Sequence, residues 1–327
     1  IGDFIAFTLY LGMLAWPMIA LGWVVNLFQR GAASMSRINR VLTATPAVGD
    51  PVDPVSLHPV RGEIEFRNVS FRYPGTADLV LRDLSFTVPH GSRVAIVGGT
   101  GSGKSTLVSL MVRLFDPTDG EILLDGVPLP RISFAQLRGA IGIVPQDTFL
   151  FSDSIRANLA VGVQHLDEIE EEPSIEEILH HAASVAQLHT TVGDFPSGYD
   201  TMLGERGVNL SGGQKQRTAL ARAIARDPRV IILDDALSAV DTHTEAEILA
   251  GLHAVMAART SIVVSHRVSA VMDADEILVL RDGRITERGS HQALLDRAGV
   301  YAALQRRQLL TEDLEADAIL ADDSGAI

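Results

Sequence analysis

The chain has 327 residues, 46% of them hydrophobic, enough for one large domain or two ordinary ones. It contains no cysteine, so disulfides and thiolate metal sites are excluded and a reducing compartment fits. The formal charge of −14 comes from two segments, 167–177 with seven acids and 312–323 with six; the remainder holds 28 acids against 27 bases, and no basic footprint for nucleic acid is present.

The first element is apolar. No charged residue occurs from Phe4 to Gln29. At about 1.5 Å per residue, that run makes a helix long enough to cross a hydrocarbon core of about 30 Å, with membrane lipid as its neighbour. Asp3 flanks one end and Arg30, Arg37 and Arg40 the other. This charge order predicts a cytoplasmic C-terminal side and argues against a signal peptide, whose positive end comes first. The core helix of a soluble domain is the alternative. Pro17 predicts a kink. Met35, Ile38, Val41 and Leu42 continue the helical spacing, so 1–43 reads as one membrane helix with a cytoplasmic extension. The chain opens on Ile1 rather than Met, which predicts a start inside a longer protein. Residues 44–62 contain four prolines and read as a linker.

From Glu63 the pattern alternates. Ile64 and Phe66, then Phe71 and Tyr73 after a slip near Asn68, then Leu84, Phe86 and Val88 read as strands. Short apolar runs at 93–97, 141–144, 230–233 and 261–264 alternate with helical stretches. That is the signature of an α/β fold with a mainly parallel sheet. The polar stretch at about 147–224 forms a helical subdomain, Asp282–Gly283 turns a hairpin, and 311–327 is an acidic tail.

GGTGSGKS, residues 98–105, follows the strand at 93–97 and matches G-x-x-x-x-G-K-[ST]. In that pattern the backbone of Gly98, Gly99, Thr100, Gly101, Ser102 and Gly103 curls so that its N–H groups face an anion. Lys104 reaches the β- and γ-phosphates, and Ser105 ligates Mg²⁺. Thr106 onward starts a helix whose positive end faces the phosphates. Downstream, RVIILDDALSAVD at 229–241 delivers two adjacent carboxylates to a strand end. Asp234 is placed there to hold Mg²⁺ through water, as in a Walker B element.

LSGGQ at 210–214 lies between these two motifs. Its small residues lead into a helix, so exposed N–H groups and the helix dipole form an anion site. With this order of motifs, residues 63–310 resemble ATP-binding cassette (ABC) proteins. The resemblance implies a RecA-like core with an antiparallel β-subdomain and a helical subdomain, ATP and Mg²⁺ as ligands, and a second half-transporter as partner. It assigns Tyr73 to adenine stacking, Gln146 to sensing Mg²⁺ and the attacking water, and His266 to the γ-phosphate. Ser211, Gly212, Gly213 and Gln214 would face the nucleotide of the other subunit. Asp241 would lie in the loop that communicates between sites, and GERG at 204–207 would touch the membrane domains. Gly99 stands where proline is common, with little effect expected.

Asp235 departs from the family, which normally has glutamate there to orient and polarise water. Losing one carbon withdraws the carboxylate by about 1.3–1.5 Å, and a catalytic base must lie within about 2.6–3.2 Å of its proton. A misplacement near 1 Å costs about 10²-fold. This site is therefore expected to bind ATP and hydrolyse it slowly, while the intact signature serves a competent partner. The pattern resembles heterodimeric exporters of the multidrug-resistance type, implying a small hydrophobic or amphipathic cargo and residence in the cell (inner) membrane. A homodimer in which Asp235 works through backbone adjustment or an added water, a soluble ABC ATPase and a regulatory ATP-binding module are the alternatives.

Overall fold

The computed structural model describes residues 1–163, 174–207, 209–257, 259–268 and 270–310. The acidic tail 311–327 and all but the last four residues of the acidic run 167–177 lie outside the described residues. The chain divides into two units, Ile1–Gly49 and Asp50–Ile327.

The first unit is one helix, α1 (Gly2–Leu42), with Pro17 inside it. Phe4, Trp16, Trp23 and Phe28 are exposed along it, and none of its residues is buried. Among the described residues it is the one helix long and apolar enough to cross a membrane. An apolar surface all round belongs in lipid or in a large protein core.

The second unit opens with the latter part of the proline-rich stretch, which has no helix or strand but is tied down. Asp50 Oδ1 accepts from Phe134 N at 2.6 Å and Val55 N donates to Arg131 O at 2.8 Å. Leu57, buried, exchanges two hydrogen bonds with the Gln136 amide. From Asp50 the chain therefore lies against the folded unit instead of hanging free.

Then follow β1 (Ile64–Phe71), β2 (Leu81–Val88), β3 (Arg93–Val97), α2 (Lys104–Met111), β4 (Asp119–Leu124), β5 (Val127–Pro128), α3 (Phe134–Ala140) and β6 (Ile141–Val144). The helical part comprises α4 (Ile155–Ala160), α5 (Ile175–Val185), α6 (His189–Gly193) and α7 (Gly212–Ala225). The chain continues with β7 (Val230–Asp234), α8 (Thr242–Met256), β8 (Thr260–Val264), β9 (Glu276–Arg281), β10 (Arg284–Gly289) and α9 (His291–Asp296), and residues 300–310 are again helical.

β1, β2, β4 and β5 form an antiparallel sheet in the order β2-β1-β4-β5. The expected slip is a register shift between Phe66 and Val69, with Asn68 at φ +51°. The second sheet runs β10-β9-β3-β8-β7-β6 and is parallel except for β10. Its central strands β3, β8 and β7 are buried on both faces. Ala95, Val97, Ile231, Leu233 and Val263 join one core; Val94, Ile96, Val230, Ile232, Ile262 and Val264 join the other. Alternation in strands covered on both sides requires this, because successive side chains leave opposite faces. α4, α5 and α7 pack in the first core and α2 with the antiparallel sheet in the second.

Three details differ from the sequence expectation, the first being that Tyr73 lies two residues beyond the end of β1. The helix after the glycine loop begins at Lys104, not Thr106, because Gly103 at φ +105° turns the chain into the helix two residues earlier. β4 and β5 are additional strands, joined by Asp125–Gly126 with φ +51° and +78°. Asp282–Gly283, between β9 and β10, has the same conformation.

Candidate nucleotide site

β3, β8, β7 and β6 are parallel neighbours, so their C-terminal ends share one edge of the sheet. In open α/β sheets that edge binds ligands. Here it gathers the loop at 98–103, His266, the Asp234–Asp235 pair and Gln146. A cavity of about 820 Å³ lies along it, lined by Gly98 to Gly101, Gly103 to Thr106, Gln146, Asp235, Asp241 and His266.

The loop is shaped by close approach. A Cβ on Gly98 would stand 2.3 Å from Leu280 O, and one on Gly103 would stand 2.6 Å from Leu81 Cδ2. Gly101 also has positive φ, +79°, whereas Gly99 faces open space. Lys104 Nζ donates to Gly98 O at 2.9 Å and Gly99 O at 3.1 Å, so its ammonium is arched over the cradle where phosphate oxygens would sit.

The two aspartates, adjacent in sequence, turn to different partners. Asp234 ends β7, is 4% exposed, hydrogen-bonds Ser105, and leaves Oδ1 buried without a partner. Burial pushes its carboxyl above the usual carboxylate range and the charge of Asp235 adds to this; the Ser105 hydrogen bond and Lys104 oppose it. An orphaned buried oxygen beside a hydroxyl suits Mg²⁺, which takes hard oxygen ligands and is held by one or two carboxylates with phosphate oxygens. No cluster of three or more His, Cys, Asp or Glu suited to a metal occurs among the described residues.

Asp235 leaves the strand at φ +46°, an uncommon conformation for a non-glycine residue. Its N–H donates to Val264 O at 2.8 Å, fastening it to the end of β8. The carboxylate is 8% exposed. Its Oδ1 lies 2.8 Å from His266 Nδ1 and accepts from the His266 backbone N–H at 3.2 Å. The acid and the histidine assigned separately from sequence form a dyad.

Tyr73 is not in the cavity lining. Its hydroxyl lies 2.9 Å from Thr106 Oγ1 and its ring packs edge-on against Phe71 and Phe115, centroids 5.0 and 5.4 Å away. Nor do Ser211 to Gln214 line it. Ser211 caps α7 in a capping box, accepting from Gln214 N at 3.2 Å while Gln214 Oε1 accepts from Ser211 N at 2.9 Å. Ser211 and Gly212 are exposed. Asp241 caps α8 through Thr244 N at 3.0 Å, a bond that lowers its carboxyl pKa. GERG lies in a short turn, with Gly207 at φ +67° against Leu150.

Sequence reasoning missed several cavity residues. Glu245, Arg267, Tyr301 and Gln308 line it, and Gln308 Oε1 accepts from Val268 N at 2.7 Å, two residues past His266. Their partners are remote in sequence, and only the Asp-x-x-x-Glu spacing of 241–245 on a helix start offered a local signal.

A strand–glycine loop–helix beside a strand-end acid, with a histidine from the next strand, defines a P-loop nucleoside triphosphatase. Residues 81–238 match the family described as ABC transporter. The chain carries an ATPase domain of the ABC transporter family. It is 44% identical over 314 residues to the probable multidrug resistance ABC transporter ATP-binding/permease protein YheI of Bacillus subtilis, covering 96% of this chain and 52% of that one. Identity to the multidrug resistance-like ATP-binding protein MdlA of Escherichia coli is 41% over 315 residues, covering 96% and 52%. The structure of a bacterial Atm1-family ABC exporter with ATP bound superposes with a TM-score of 0.79 at 41% identity, covering 92% of this chain and 51% of that one. The chain spans about half the length of the curated relatives it matches.

Proposed function

We propose that the chain is the ATP-driven part of an exporter half: a last membrane helix at 1–43, a connection at 44–62, a nucleotide-binding domain at 63–310 and an acidic tail. Its relatives' descriptions as multidrug resistance proteins and exporters support this, as does an apolar helix ahead of the cassette. In this reading α1 crosses the cell (inner) membrane, the cassette is cytoplasmic, and the cargo is small and hydrophobic or amphipathic.

ATP would bind with its phosphates in the loop at 98–106 and Lys104 released from Gly98 O and Gly99 O to meet them. Ser105, Asp234 and Gln146 would hold Mg²⁺. When bound, that ion neutralises charge on the phosphate oxygens. Tyr73, steadied by Thr106, would take the adenine. Ser211 to Gln214 would cover the nucleotide of a second cassette, because they stand away from this chain's own cavity.

The observation that carries the slow-site reading is the Asp235–His266 dyad. A carboxylate one methylene short is engaged by His266 through both the ring and the backbone N–H. Reaching a water poised at the γ-phosphate means giving up those bonds. The expected deficit is about 10²-fold, or about 2.7 kcal/mol of barrier. The partner half then carries glutamate at this position and most of the turnover. In the reconstituted pair, Glu→Gln at that partner position should abolish nearly all ATPase activity. Largely retained turnover, or brisk turnover by two copies of this chain alone, contradicts the asymmetric reading and favours a homodimer in which Asp235 works.

A further inference from the structure

We propose that Arg267, Glu245 and Gln216 form an internal bracket that transmits the state of this chain's nucleotide from the His266 loop to the signature helix. They are positioning residues, and the proposal rests on the reading of 98–106 as the ATP loop.

Arg267 directly follows His266 and its guanidinium reaches two elements. Nη1 donates to Glu245 Oε2 and Nη2 to Ser238 O at 3.0 Å. Glu245 sits in the first turn of α8, is 4% exposed, and its Oε1 is buried without a partner. A half-buried ion pair with one carboxylate oxygen unsatisfied is a poor way to gain stability. Its geometry is the more informative feature, because a planar fork fixes direction where an ammonium would not.

The same segment is held from the other side. Gln216, buried on α7, donates from Nε2 to Ser238 Oγ at 2.9 Å and accepts at Oε1 from Ala239 N at 2.9 Å. A longer contact of 3.5 Å reaches Asp235 O. There is little slack: a Cβ on Gly213 would stand 2.9 Å from Ala239 O. Residues 235–239 are therefore clamped between the loop that carries His266 and the start of the helix that carries the signature. Glu245 and Arg267 also line the nucleotide cavity. A shift of His266 toward a γ-phosphate moves Arg267, then Ser238 and Ala239, then the first turn of α7, with a directional hydrogen bond at each joint.

Amide hydrogen exchange tests this on the 327-residue chain, kept dilute enough to be monomeric by light scattering, with and without saturating Mg²⁺ and ATP. Residues 98–106 report occupancy and 211–216 report the bracket. In the wild type both segments should slow, 211–216 by about tenfold. With ATP raised until 98–106 slows as it does in the wild type, Arg267→Lys, which keeps a cation beside Glu245, and Gln216→Leu should each lose the gain at 211–216. Equal slowing of 211–216 in wild type and both variants overturns the bracket. So does a wild type in which only 98–106 responds. If 98–106 does not respond in the wild type, the ATP reading itself falls and takes the bracket with it.

Discussion

At the residue scale, Asp234 and Asp235 show how neighbours in sequence acquire different partners. The β7 pleat and the left-handed turn at Asp235 send one carboxylate to Ser105 and the other to His266. Asp234 is costly to keep ionised, since burial raises its pKa. Without ligand the folded state binds its proton more tightly than the unfolded chain does. The stability it withholds grows as pH rises from the ordinary carboxylate range toward neutrality, the sign linkage requires for a raised acid. Asp234→Asn should therefore raise the melting temperature of the ligand-free chain at pH 7, with the difference shrinking toward about pH 4. The same variant should lose the Mg²⁺-dependent part of the stabilisation by ATP. A lower melting temperature at neutral pH would contradict the assignment. The sequence made both acids legible because a strand-end pair is a local pattern. It did not reveal the dyad, which joins β7 to β8 across 31 positions.

At the element scale, the loop between β3 and α2 was legible because its pattern is contiguous, although the helix begins two residues earlier than the sequence suggested. Gly103→Ala should cost about 1–3 kcal/mol through strain at positive φ and contact with Leu81, read as a lower denaturant midpoint. A change within a few tenths of a kcal/mol would show that the loop relaxes around a side chain. The capping box on α7 gives a second expectation. Ser211→Ala should cost about 1 kcal/mol in this chain, independently of any role toward another subunit. An unchanged unfolding midpoint would contradict that. β4 and β5 escaped the sequence reading although Asp125–Gly126 is the same turn signal that exposed the β9–β10 hairpin. β5 is only two residues long, so the turn lacked a flanking alternation.

At the scale of the whole molecule, the order of strands explains why four distant motifs lie along one edge. Parallel pairing of β3, β8, β7 and β6 puts their ends on one edge, and that pairing is a property of the fold rather than of any motif. The apolar α1 predicts a protein that stays in the membrane fraction after carbonate extraction; release into the supernatant would sink the exporter reading. The cassette reading was legible from three short motifs in order, whereas the residues linking His266 to the signature were not, since Arg267 and Glu245 meet across 22 positions.

The most direct test of the short-acid account is single-turnover hydrolysis at this chain's own loop in the reconstituted pair, with the partner's site silenced by Glu→Gln at its equivalent position. Asp235→Glu should raise that rate by about 10²-fold, the deficit assigned to one missing methylene. A rate unchanged by Asp235→Glu, with ATP still bound at 98–106, would contradict it.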